Sequence, residues 1–272
     1  MDNFLEILKY IFLGFVQGFS EILPISSSGH LVLAQNLLKI EAPGLVFEMF
    51  TNTASFLALF LLLYKDIFRL IKHFFLYIFK RNEEYKNDFY YALKLLVSVI
   101  FIGIAGLLLK DYLGNIKNLL TVGISLVITG ALLLLIYYTR NAIKDHDEIT
   151  FKDALVIGLF QMFAVVPGIS RSGSTIIGGR VSKVSLKSIL KFSFLCYIII
   201  SIPTAALGFY DLSKISESIN WLGYILAFIV TFIVTFITAK LILKKLEVKH
   251  LIYFGYYCLV VGLTSSILHF IL

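Results

Sequence analysis

The sequence predicts an all-α polytopic membrane protein: six transmembrane helices plus two re-entrant helical hairpins in an inverted-topology repeat. Three observations carry this. The 272 residues are 59% hydrophobic and 15% charged, against about 25% charged in a soluble domain. Apolar runs of about 20 residues recur along the chain, the length that crosses about 30 Å of hydrocarbon. Finally, two polar stretches interrupt this apolar background, and each is a copy of the other. Residues 14–30 read GFVQGFSEILPISSSGH and residues 158–175 read GLFQMFAVVPGISRSGST. A shift of 144 positions superposes Gly14, Gln17, Phe19, Ile25, Ser26, Ser28 and Gly29 on identical residues without a gap. Internal repeats of this kind mark membrane proteins built from two halves, with the site where the halves meet.

The elements follow in order. The run near 4–23 leads into the first polar stretch, and a short amphipathic segment, 31–38, follows it. That segment is too short to span a bilayer alone. Residues 4–40 therefore read as a re-entrant hairpin broken at Pro24. Such a break is tolerated at membrane depth only where protein or a water-filled cavity shields the backbone. Runs near 44–64, 92–109 and 119–139 read as three full spans. The run near 154–166 leads into the second polar stretch and the short segment 176–181, giving a second hairpin, 152–183, broken at Pro167. Runs near 187–209, 219–243 and 251–272 are three more spans. The whole reads as a single membrane domain, with repeat one at 1–140 and repeat two at 141–272.

Charge sets the orientation. Loops on the side holding both ends of the first hairpin carry five Lys and Arg residues; loops on the other side carry sixteen. Lys94, Lys191 and Arg171 fall within spans or motif. The positive-inside rule puts the basic side in the cytoplasm and both termini outside. The odd number of spans between the hairpins makes them enter from opposite faces, so their serine-rich tips approach near the midplane. The net charge of +7 then reflects basic cytoplasmic loops, and nucleic acid is not an expected partner. Asp2 and Glu6 are acidic where a cleavable signal carries positive charge, so the first helix reads as part of the mature protein. Cys196 and Cys258 sit in apolar spans and read as small buried hydrophobes.

Differences between the two copies point to chemistry. Gln17 and Glu21 share one helix face, and a carboxylate this deep needs a partner, water or a cation. Pro24 followed by Ser26, Ser27 and Ser28 reads as a break and a new helix N-terminus, whose free N–H groups attract anions. His30 lies in that first turn. In the second copy Arg171 is flanked by Ser170, Ser172, Ser174 and Thr175. Its guanidinium would fork onto phosphate oxygens, or pair internally with Glu21. Copy two has Val165 in place of Glu21, and copy one has Ser27 in place of Arg171. Together they offer a cationic clamp, two helix N-termini, an acid/base group and hydroxyl nucleophiles, which is what phosphoryl transfer requires. Asp145, His146, Asp147 and Glu148 have metal-like spacing, but their hydrophilic surroundings read as a solvated turn.

These motifs resemble the undecaprenyl-diphosphatase family, also called the bacitracin-resistance protein family. Its signatures are a Glu/Gln-x-x-x-Glu stretch leading into Pro-x-Ser-Ser-x-Gly-His, and Pro-Gly-x-Ser-Arg-Ser-Gly-x-Thr. Here they run from Gln17 to His30 and from Pro167 to Thr175. Many members have Glu where this chain has Gln17. The resemblance covers essentially the whole chain. It implies a multi-pass enzyme of the bacterial cytoplasmic membrane that hydrolyses undecaprenyl diphosphate to the monophosphate, recycling the lipid carrier for cell-wall synthesis. It also implies a site open to the outer face and a divalent cation, Mg2+ or Ca2+, with Glu21 and Gln17 as metal ligands. The catalytic residues implied are Glu21, His30, Ser27 and Arg171. Phosphate binding falls to Ser26, Ser28, Ser170, Ser172, Ser174 and Thr175. Ser27 attacking with His30 as base, His30 attacking, and His30 activating water remain three open routes. Expected partners are the polyprenyl diphosphate, the bilayer and a second copy of the chain as a homodimer. A transporter or flippase of an anionic polyprenyl lipid is the competing function. The asymmetry of the copies speaks against it, because transport does not need His and Glu concentrated in one half.

Overall fold

Apolar residues in long unbroken runs must satisfy their backbone groups internally, and helices do so segment by segment. The computed structural model describes residues 2–40, 46–114, 116–139, 146–214 and 219–271. The α-helices among the described residues are α1 (Asp2–Ile22), α2 (Ser27–Leu38), α3 (Val46–Lys80), α4 (Lys86–Leu113), α5 (Leu119–Thr139), α6 (Phe151–Met162), α7 (Arg171–Val181), α8 (Leu186–Leu212), α9 (Trp221–Lys245) and α10 (Leu251–Ile271). Six of them, α3, α4, α5, α8, α9 and α10, are long and apolar enough to cross a membrane. Their outward side chains include Leu107, Leu108, Val260 and Phe270, all strongly exposed. Such a belt is disfavoured in water and natural in hydrocarbon. The chain is a multi-pass, all-helical membrane protein.

One boundary differs from expectation. The span anticipated at 44–64 is the first part of α3, which continues as one helix of 35 residues, about 50 Å long. Lys65, Arg69 and Lys72 therefore stand on a helix and not in a loop. Packing sustains this extension, because Phe74 and Tyr77 stack on Phe89 at the start of α4, with ring centroids 5.0 and 4.7 Å apart. Arg140, Lys144 and Asp145 lie outside the described residues.

Both shorter helix pairs turn back on themselves. Lys9 Nζ, early in α1, donates to the Leu38 carbonyl at the end of α2 (2.8 Å). The base of the second pair is closed by His146, whose N–H donates to Lys183 O (3.0 Å) and whose carbonyl accepts from Ser185 N (2.8 Å). The ring nitrogens of His146 face the carbonyls of Glu148 and Ser182 at 2.7 and 3.1 Å. This histidine serves the backbone of the hairpin. Thr150 opens α6 with a reciprocal capping box to Asp153.

The hairpins pack crosswise. The first, through α1, lies on α9; the second, through α6, lies on α4; α5 lies on α10. Gly14 and Gly158, equivalent in the repeat, make the two hairpin contacts. A Cβ on Gly14 would sit 2.5 Å from Ala227 O, and one on Gly158 would sit 2.7 Å from Ser98 O. Helix backbones touch here, as small residues allow in membranes. Gly14→Val is expected to force α1 off α9 and destabilise the fold by about 1–3 kcal/mol. Thermal unfolding in detergent measures this; an unchanged midpoint would show the contact is not tight.

Candidate active site

The two breaks in the hairpins meet. Ser172 Oγ, on the first turn of α7, donates to Leu23 O beside Pro24 (2.7 Å). Gly168 N–H points back to Ser28 Oγ at 3.5 Å. Each following helix starts with a serine cap. Ser26 Oγ accepts from Gly29 N (3.3 Å), and Ser170 Oγ accepts from Gly173 N (3.0 Å). Ser26 holds φ 70°, a left-handed conformation rare outside glycine; strain of this kind concentrates at functional sites. The first turns of α2 and α7 thus share one space, a cavity of about 200 Å³ lined by Ser26, Ser27, Ser28, Ser170, Arg171 and Ser172. Two helix N-termini at one cavity make an anion site.

Glu21 is the hub. It ends α1, 8% exposed, and its two oxygens are fully engaged. Arg171 pairs with Oε1 across 150 positions of sequence. Oε2 accepts from Gln17 Nε2 (2.7 Å) and Ser27 Oγ (2.6 Å). The internal Arg171–Glu21 pair, one of the two outcomes open from sequence, is therefore made. Arg171 also sits over the ring of Tyr197, its Cζ 3.9 Å from the ring centroid. A guanidinium held by one edge and one face still has donors for a ligand.

Several expected residues are placed differently. His30 does not line the cavity. Its Nδ1 faces Ser26 O at 2.7 Å, and its Nε2 faces Tyr257 Oη at 2.8 Å. A carbonyl can only accept, so Nδ1 carries a proton, while Nε2 and the Tyr257 hydroxyl share the second hydrogen bond. Ser27 accordingly has Glu21 as its proton-accepting neighbour, and His30 holds the first turn of α2 against α10. Thr175 is fully buried and donates to Arg171 O (2.9 Å); Ser174 is buried too, and neither lines the cavity. Gln17 sits behind Glu21, away from the cavity wall. Sequence reasoning missed Asn52 and Ser20, which do line it, and Tyr197 beneath Arg171. A polar Asn inside an apolar run was the available signal for Asn52; Tyr197, one aromatic among many, gave none.

The donor set bears on the metal. Glu21 is the carboxylate at the cavity, and no group of three His, Cys, Asp or Glu gathers among the described residues. This suits a hard cation held by one carboxylate together with phosphate oxygens, and not an all-protein cage. A larger cavity, about 940 Å³, opens at the other end of α3, α4 and α8. Several of its charges pair with each other, Lys191 with Asp66 at 2.8 Å and Arg69 with Asp88 at 3.3 Å. The smaller cavity holds the hydroxyls beside the Arg171 guanidinium.

Broken helix pairs meeting tip to tip inside a bundle of membrane-length helices, with a guanidinium and a carboxylate between them, define an integral membrane protein that handles an anionic group. The comparison with known proteins narrows this. The family model for bacitracin resistance protein BacA matches residues 10–264, and the chain belongs to that family. The undecaprenyl-diphosphatase of Acholeplasma laidlawii (strain PG-8A) is 48% identical over 280 residues, covering 100% of both chains. Undecaprenyl-diphosphatase 2 of Bacillus thuringiensis (strain Al Hakam) is 42% identical over 98% of this chain and 99% of its own. The undecaprenyl-diphosphatase of Oceanobacillus iheyensis is 39% identical over 96% of each.

Proposed function

We propose that this protein is a membrane phosphatase that hydrolyses undecaprenyl diphosphate to undecaprenyl phosphate and inorganic phosphate, recycling the lipid carrier for cell-wall synthesis. The names of its full-length relatives support the reading. The observation that carries it is the Ser27 hydroxyl, hydrogen-bonded to Glu21 beside Arg171 at the wall of a cavity made by two helix N-termini. The polyprenyl tail lies among the helices and the diphosphate enters between the tips.

Arg171 turns from Glu21 to the terminal phosphate, and the amides and hydroxyls at Ser26, Ser28, Ser170 and Ser172 complete the cradle. Ser27 Oγ attacks the terminal phosphorus and its proton passes to Glu21. The bond to the bridging oxygen breaks, undecaprenyl phosphate leaves, and water then hydrolyses the phosphoserine to free phosphate. Both steps are positioning and charge stabilisation, as phosphoryl transfer demands. Glu21 would hold a divalent cation, Mg2+ or Ca2+, which would further neutralise the charge of the diphosphate. His30 is assigned to positioning, through Ser26 and Tyr257. The protein is assigned to the bacterial cytoplasmic membrane with both termini outside. Repeat one (1–140) and repeat two (141–272) are inverted, their hairpins are re-entrant, and the cavity opens to the outer face.

Protein purified in detergent is expected to release phosphate from undecaprenyl diphosphate, and chelator to reduce the rate. A transporter of the same lipid would release none. Phosphate trapped on the enzyme during turnover is expected on Ser27 by mass spectrometry. Phosphate on His30 instead would exclude the serine route.

A further inference from the structure

Two polar side chains beside the cavity have no part in the chemistry described so far. Asn52 lies on α3 and lines the cavity wall. Tyr197 lies on α8, 3% exposed. The Tyr197 hydroxyl donates to the carbonyl oxygen of Asn52 at 3.0 Å, and also to its side-chain Oδ1. In this orientation the amide oxygen accepts from the Tyr197 hydroxyl. Oδ1 turns to Tyr197, and Nδ2 turns the other way. Among the described residues Nδ2 has no hydrogen-bond partner, and it is not counted among the buried unsatisfied atoms. The face of the same Tyr197 ring carries the Arg171 guanidinium. One side chain thus sets two donors on the rim of one cavity, one through its hydroxyl and one through its ring.

We propose that Asn52 is a phosphate-binding residue of this site, donating through Nδ2 to an oxygen of a bound diphosphate, and that Tyr197 is the positioning residue that aims both Asn52 and Arg171. The assignment rests on the phosphatase reading for its substrate class. It adds a third helix, α3, to the two hairpin tips that bind the anion. A diphosphate drawing Arg171 from Glu21 meets the amide on its α3 side. The ring keeps the guanidinium plane fixed while its edge changes partner.

The test is steady-state kinetics of phosphate release on the full-length protein in detergent, with thermal unfolding of each variant as the check on folding. Asn52→Ala is expected to raise KM about tenfold, the loss of one hydrogen bond to a charged group, with kcat little changed. Tyr197→Phe keeps the ring and loses the hydroxyl, so it should raise KM to a similar or smaller extent. The double variant should lose less than the sum of the two single losses, because part of the hydroxyl's effect passes through that amide. Tyr197→Leu should also lower kcat, as Arg171 loses its platform. An unchanged KM in Asn52→Ala, or additive losses in the double variant, would overturn the proposal. Should Asn52→Ala fail to fold, the near-isosteric Asn52→Asp decides. It places a carboxylate against the phosphate, and KM should rise more steeply than in the alanine variant. If the unmodified protein releases no phosphate, the phosphatase reading fails separately. Binding of inorganic pyrophosphate, expected to weaken about tenfold in Asn52→Asp, then decides the role of Asn52 on its own.

Discussion

Replacing Arg171 by lysine is expected to lower kcat by about a hundredfold or more, although the positive charge remains. Three properties of the guanidinium are used at once. One edge pairs with Glu21, the group sits over the Tyr197 ring, and its remaining N–H groups face the cavity. An ammonium is a point donor. It can replace the pair with Glu21 or reach a phosphate oxygen, but it cannot present two parallel hydrogen bonds to the anion. Its stacking on Tyr197 would also be weaker. Folding should survive, since the buried carboxylate keeps a cation nearby. The measurement is the rate of phosphate release at saturating substrate, beside a thermal unfolding curve. Turnover near that of the unmodified protein would remove Arg171 from the clamp.

Glu21→Gln should be the more damaging change, with kcat falling about a thousandfold, within the range of lost general-base catalysis. The carboxylate is the proton acceptor within reach of Ser27 at 2.6 Å, and an amide cannot take that role. The same substitution leaves Arg171 without its counter-charge in a partly buried place. Removing one partner of a buried pair costs about 3–5 kcal/mol, so the thermal midpoint should also drop. KM should move the other way. Glu21 competes with phosphate for the guanidinium, and without it the anion binds Arg171 unopposed. Pyrophosphate should then restore part of the lost stability. A Glu21→Gln variant that keeps its kcat would show that Ser27 is not activated through this oxygen.

The elements that could be read from the sequence are those whose cause is local. Pro24, Pro167 and the serines after them encode break and cap within a few residues, and both helices begin where those signals stand. The pairing of Glu21 with Arg171 was one of two readings, because a deep charge demands an opposite one, however distant. The extension of α3 to Lys80 was not visible. Charged residues beyond Tyr64 look like a loop until the aromatic packing on α4 is known. His30 stood open as base for Ser27, as nucleophile or as activator of water. The structure sets its ring between Ser26 O and the hydroxyl of Tyr257, a residue 227 positions away, and no pattern within a motif announces that second contact. Thr175 and Ser174 carry hydroxyls of the right kind, but their helix turns them inward. Helical phase within an 11-residue helix is decided by what surrounds it.

The crosswise packing of the hairpins has a consequence for biosynthesis. When the ribosome has completed repeat one, α1 still lacks α9, and Glu21 still lacks Arg171. The nascent carboxylate must wait, hydrated or protonated, until Arg171 and then α9 emerge. Assembly is therefore a late event governed by the second repeat. A gene split between α5 and α6 should yield two inert products that regain the site only when translated together.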